Sequence, residues 1–227
     1  MPLEFKKAQK QQSRLRIALI APSGQGKTYG ALRIATGLGG KIAFLDTEQG
    51  SGSLYADKFT FDALNMNAPY QAEKYIAAIK AAGEAGYDTL IIDSLTHAWA
   101  GEGGLLDQQG KIADSGKGNS FTAWRTITPM HNKLVDAILS SSMHIIVTMR
   151  AKAEYILEEN DRGQKTPKKI GMAPIQREGM DYEFTLVFDL DKNHNGTASK
   201  DRTSLFDGKT VEINEDVGKQ LNEWLKN

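Results

Sequence analysis

No cysteine occurs in the 227 residues, so the chain has neither a disulfide framework nor a thiolate metal site. It also lacks any excess of charge, since 28 basic side chains face 28 acidic ones. That balance excludes a global pull on nucleic acid and leaves only local basic patches to bind it. No apolar run is long enough to span a bilayer. The first residues, polar and carrying Lys6, Lys7, Lys10 and Arg14, do not form a signal peptide. The expectation is a cytoplasmic protein with no membrane partner. The four histidines show no ligand spacing. What is present is globular: the 40% hydrophobic share and the length suit one domain with a sizeable core.

The chemistry begins with glycine placement. Ala21-Pro22-Ser23-Gly24-Gln25-Gly26-Lys27-Thr28 follows the apolar run Leu15 to Ile20, which reads as a buried strand. A helical pattern then runs through Ala31, Leu32, Ile34, Ala35 and Leu38. Strand, glycine-rich loop, Lys-Thr and helix form a P-loop arrangement, with Ala21 where the pattern has glycine. Glycines let backbone amides approach a polyphosphate, and the helix N-terminus adds donors and a positive dipole end. Ser23, Gly24, Gln25, Gly26, Lys27, Thr28 and Tyr29 are thus expected to bind a nucleotide. Lys27 would reach the β- and γ-phosphates, with a catalytic part, and the Thr28 hydroxyl would hold Mg²⁺.

Later strands carry charge at their carboxyl ends, where open α/β sheets bind ligands. Ile42 to Leu45 lead into Asp46 and Glu48. Glu48 is either the base that deprotonates an attacking water or a solvated strand-end acid. Pro69 to Ala85 read as a helix, and Thr89 to Ile92 as a strand that presents Asp93 to the Mg²⁺ at Thr28. Residues 97–120 hold six glycines without a clear period and read as a long mobile loop. From Phe121 a helix turns Trp124, Ile127, Met130, Leu134 and Ile138 inward. His144 to Thr148 form another strand. Arg150 after it is either a sensor of the γ-phosphate or a salt-bridged surface residue.

Residues 150–172 read as irregular and charged. Lys152, Arg162, Lys165, Lys168 and Lys169 make this either a contact loop for a phosphate backbone or a solvated loop. Phe184 to Leu190 and Thr197 to Phe206 flank a hairpin turn at Asn195-Gly196. On the returning strand Lys200 and Arg202 share a face, from which they could reach a neighbour's nucleotide. A helix from Glu215 to Lys226 closes the chain.

These motifs, taken in order, resemble the RecA-like recombination ATPases, most closely the phage-encoded versions that are little more than the ATPase core and act in single-strand annealing. The resemblance covers about Arg14 to Phe206 and rests on Ala21 to Thr28, Phe44 to Glu48, Asp93, and Ser199-Lys200-Asp201-Arg202. It implies an α/β fold with a mostly parallel sheet flanked by helices, a C-terminal hairpin and a final helix. Residues 1–13 would be a tail or inter-subunit arm and 14–227 the core. It implies ATP and Mg²⁺ as ligands, with Glu48 as the catalytic glutamate that activates water and Lys200 and Arg202 acting in trans. The implied partners are single-stranded DNA, further copies of the chain in a ring or filament with ATP at the interface, and a phage or host single-strand binding protein. The implied setting is the host bacterial cytoplasm. Phe5-Lys6-Lys7-Ala8 is similar to the tether linking recombinase subunits. Thr148-Met149-Arg150 departs from the glutamine usual after the fourth core strand, so coupling between DNA and ATP would differ. None of these motifs points to an added DNA-binding domain, so annealing or loading is expected over strand exchange. An ATP switch or helicase loader, and a small-molecule kinase, are the rival readings of the same P-loop.

Overall fold

Strands whose residues are buried on both faces read as unbroken apolar runs, because helices cover each side of a parallel sheet. β1 (Arg16–Ala21), β2 (Ile42–Asp46) and β4 (Thr89–Asp93) are of this kind, with every residue buried. In a computed structural model of the protein, residues 7, 9–10, 13–115, 120–159 and 165–227 are described, with backbone alone at 120 and 153–171. The other strands are β3 (Asp62–Asn65), β5 (His144–Glu159), β6 (Lys165–Pro174), β7 (Leu186–Leu190), β8 (Asn195–Asp201) and β9 (Thr210–Glu212). The sheet order is β3-β2-β4-β5-β1-β7-β8-β9, with β6 paired to β5 beyond this row. Pairing is parallel from β3 to β7 and antiparallel through β8 and β9. This is an α/β P-loop NTPase fold closed by a hairpin and a helix.

The two-residue period of β1 divides the core. Ile17, Leu19 and Ala21 pack with α1 (Lys27–Leu38) and α6 (Glu215–Lys226). Ala18 and Ile20 face α2 (Ala72–Glu84) and α5 (Ser120–Ser140). α1 and α6 meet backbone to backbone. A Cβ on Gly37 would lie 1.9 Å from the Glu215 carbonyl oxygen, and one on Gly218 2.2 Å from that of Ile34. Parallel pairing brings the carboxyl ends of the strands to one edge, with Ala21 opposite Arg150 and Asp46 opposite Asp93. No helix among the described residues is long and apolar enough to cross a membrane.

Three expectations are corrected. Residues 97–120 are not a long loop, since they contribute α3 (Thr96–Ala100) and α4 (Leu105–Asp114). α4 buries only Leu105 fully, so it carries too narrow an apolar stripe to show a period. Residues 150–172 are not irregular, because β5 runs past the sheet and pairs with β6 as a ribbon, from Ala151 opposite Pro174 to Glu159 opposite Lys165. A ribbon beyond the core has no face that must be apolar, hence no alternation. The hairpin turn lies at 191–194 rather than at Asn195-Gly196, which open β8. The Asp191 carboxylate accepts from the amides of Asn193 and Asn195 at 2.8 and 3.0 Å, and His194 takes the left-handed position at φ 65°.

His144 opens β5 and makes folding pH-dependent. Its Nδ1 accepts a hydrogen bond from the Leu15 amide at 3.0 Å. Burial, then the positive charges of Arg14 and Arg16, hold its pKa down to about 4. Between that value and the ordinary 6.5 the unfolded chain binds the extra proton. Stability present above pH 6.5 is therefore lost as the pH falls toward 4, by about 2–3 kcal/mol in total. Urea unfolding at pH 7.5 and pH 5 measures this. His144→Gln keeps an acceptor for Leu15 and should flatten the dependence; an equally steep curve in that variant would assign the effect to another group.

Candidate nucleotide-binding site

The carboxyl ends of the parallel strands open onto a cavity of about 720 Å³. Its floor is the loop between β1 and α1. Gly24 and Gly26 stand at φ 78° and 79°, where a side chain is strained. A Cβ on Gly26 would also lie 2.6 Å from His194 Nδ1. Gly26 caps α1 without a side-chain hydrogen bond, so the helix's first donors and positive end are left for an anion. Of the expected loop residues, Ser23, Gly24, Gly26, Lys27, Thr28 and Tyr29 line the cavity, and Gln25 does not.

Lys27 bridges the loop, its Nζ donating to the carbonyls of Ala21 at 3.0 Å and Pro22 at 2.8 Å. Burial lowers its pKa, against the opposing pull of Asp93 and Glu48. Thr28 Oγ1 donates to Asp93 Oδ2 at 2.6 Å. Because β4 and β5 pair with Ile92 opposite Val147, Thr148 follows beside Asp93, and its hydroxyl donates to Oδ1. Asp93 is 2% exposed. Burial pushes its pKa up, while the two hydroxyls draw it down. Hard oxygens from Thr28 and Asp93 are the donor chemistry Mg²⁺ takes beside phosphate oxygens and water.

Glu48 stands over this pair at the end of β2. Buried Asp46 fixes the turn that presents it, accepting from the amides of Glu48 at 2.7 Å and Gly52 at 2.9 Å. The carboxylate is gripped by Arg150, whose Nη2 lies 2.7 and 2.6 Å from Oε1 and Oε2, with Nε 3.1 Å from Oε1. Arg150 is thus salt-bridged, but to Glu48 and within the cavity. His97 Nε2 lies 3.9 Å from Glu48 Oε1. Its Nδ1 bonds the Thr47 hydroxyl at 2.8 Å, and its ring stacks on Tyr70. Burial lowers the His97 pKa, with Glu48 acting in the opposite sense.

Several expected residues are not brought here. Lys200 Nζ donates to the carbonyls of Asp181 and Tyr182, and Arg202 Nη2 donates to that of Tyr182 at 3.0 Å; neither lines the cavity. Lys152 lies on β5 and Lys165, Lys168 and Lys169 on β6. Arg162 falls outside the described residues. Residues that sequence reasoning missed line the cavity instead: Arg33, Tyr55, Asn193, His194 and Glu212. Tyr29 lies 5.4 Å from the Tyr55 ring and 5.3 Å from that of Phe59. Arg33 had a signal, since it stands four residues after Tyr29 on the same face of α1. The others meet only in the folded chain.

The assembled groups can cradle a polyphosphate, hold a divalent cation through Thr28 and Asp93, and present a carboxylate beside it. A search of curated proteins finds no match. A protein-family model described as an AAA domain matches residues 13–213. With well over half its length so matched, around a P-loop at the end of β1, the chain belongs to the AAA domain family and carries a nucleotide-binding domain of the AAA ATPase type.

Proposed function

We propose that the protein is a RecA-like ATPase that hydrolyses ATP with Mg²⁺, assembles with nucleotide between its copies, and binds single-stranded DNA to support strand annealing of the phage recombination type. The observation that carries the reading is one cavity holding Lys27, the Thr28–Asp93 pair and Glu48. Mg²⁺, when bound, would neutralise phosphate charge. Lys27 would bind the β- and γ-phosphates, Thr28 and Asp93 would hold the cation, and Glu48 would take the proton of the attacking water. In this reading Arg150 exchanges its grip on Glu48 for the γ-phosphate.

Arg150 also begins the path to DNA. One residue further β5 pairs with β6, so a strand of DNA lying on Lys152, Lys165, Lys168 and Lys169 would pull on the residue that holds the catalytic base. Two features support assembly. Among the described residues β3 pairs only with β2, leaving a free edge that carries Leu64 at 54% exposure. Lys200 and Arg202 lie outside their own cavity, which suits a role in a neighbour's. Phe5 and Ala8 of the expected tether fall outside the described residues. The Arg150 grip also favours a second reading, a slow ATP switch that loads a partner, in which turnover would stay slow with DNA present.

ATP turnover and oligomer size with and without single-stranded DNA test the proposal. DNA should raise both. Reversing Lys165, Lys168 and Lys169 to Glu should weaken DNA binding and lower the slope of log affinity against log salt by about 2. An unchanged slope would move the DNA site off the ribbon.

A further inference from the structure

Beyond the phosphate loop the cavity continues along α1, bounded by Tyr29 and Tyr55 on one side and by His194, Glu212 and Ile213 on the other. Two glycines bring that second wall close. A Cβ on Gly26 would meet His194 at 2.6 Å, and one on Gly30 would meet Ile213 Cγ2 at 2.9 Å. The turn before β8 and the residue after β9 are thus seated on the first turn of the helix that holds the phosphates. A nucleotide with its phosphates at the N-terminus of α1 would find room for its base in this part of the cavity. Resting on the ATPase reading, we propose that Glu212 selects that base, accepting the exocyclic amine of adenine and refusing guanine.

Aromatic walls hold every base alike, so selection falls to the polar groups. Arg33 is nearly spent. Its Nε and Nη2 donate to Glu215 at 2.8–3.0 Å, and its Nη1 donates to Glu212 Oε1 at 3.1 Å and the Ile213 carbonyl at 3.3 Å. Little of the guanidinium is left to donate to guanine O6. Glu212 has one oxygen tied to Arg33 and the other free among the described residues. The oxygen that Arg33 does not hold is open to a donor, which the amine on adenine C6 supplies. Guanine turns a carbonyl oxygen to that place, lone pair against carboxylate. Its two-donor edge, to engage both carboxylate oxygens, would have to share Oε1 with Arg33, which already donates to it. The site differs from the familiar guanine reader for that reason. Asn132 to Asp136, whose order faintly matches a guanine motif, lies inside α5, away from this cavity.

Glu212 is 62% exposed, so the selection is expected at about 10-fold, the low end for a hydrogen bond to a charged group. The test is calorimetric titration of the full chain with the Mg²⁺ salts of ATP, GTP and purine riboside triphosphate, which lacks the amine. The natural protein should bind ATP about 10-fold more tightly than either of the others. Glu212→Ala and Glu212→Gln should bring ATP and purine riboside triphosphate to within about twofold of each other. A preference for ATP that survives both substitutions overturns the proposal. So does equal binding of ATP and GTP by the natural protein, which would leave the ATPase reading standing. Failure of every triphosphate to bind would instead overturn the ATPase reading beneath it.

Discussion

Glu48→Gln is expected to cut ATP turnover by about 10²–10⁴-fold, the usual contribution of a positioned general base, while nucleotide still binds. The amide keeps the shape of the side chain and its place after the Asp46-fixed turn. It cannot accept a proton from water. It also loses the two-oxygen grip of Arg150, because one of its two polar atoms is now a donor. The substitution therefore frees Arg150 as it removes the proposed base, and a faster conformational response to nucleotide with strongly reduced hydrolysis is the expected combination. Phosphate release and nucleotide binding, measured on the same preparation, separate the two effects. Turnover above a tenth of the natural rate would mean that another group activates water. Loss of binding and turnover together would mean that Glu48 shapes the site rather than acting in it.

The residues of this site differ in how far the chain alone announces them. Lys27 and Thr28 are local: strand, loop and helix follow one another, so eight residues carry the signal. Asp93 and Glu48 are announced one step more remotely, as acids that end apolar strands whose parallel pairing turns every carboxyl end to one edge. The contact between Arg150 and Glu48 spans 102 positions, and only the sheet order β2-β4-β5 makes it. His97, Tyr55 and Glu212 carry no pattern at all, since each sits in a short or exposed element whose place depends on something else packing first.

The same distinction holds for the fold. Buried strands and broad-striped helices were legible because burial on a regular element imposes a period. β3 has four exposed residues and imposes none. Gly196 shows how a correct motif can mislead. Asn195-Gly196 has the residues of a tight hairpin turn, yet a Cβ at 196 would lie 2.5 Å from Ile213 Cδ1. The glycine sits where β8 packs closely on Ile213 and Phe188, and Asp191 makes the turn instead. A glycine's two uses, free backbone and close approach, look identical in a sequence.

Arg16 is the largest stability effect expected, and it too is hidden in an apolar run. It is 4% exposed in β1, with burial and then Arg14 lowering its pKa to about 10. Its Nη1 donates to the carbonyls of Leu15 at 3.0 Å and Met143 at 2.9 Å. Its Nη2 donates to those of Leu139 at 2.9 Å and Ser141 at 2.6 Å. α5 ends at Ser140, so the guanidinium supplies donors to carbonyls that a helix end leaves without partners. It also ties that helix end to the central strand. Arg16→Met has similar length and no donors. It leaves the carbonyls of 139, 141 and 143 without these partners, and should cost about 3–5 kcal/mol, roughly 10 °C in Tm for a domain of this size. Arg16→Lys should recover only part of the loss, since an ammonium cannot present the planar fork that reaches four oxygens. Arg16 lies at the amino end of β1, opposite the P-loop, so ATP affinity of the folded protein should stay unchanged. Urea unfolding with and without ATP reads both quantities. A Met variant as stable as the natural chain would mean that the end of α5 finds other donors, and that Arg16 does not hold it to the sheet.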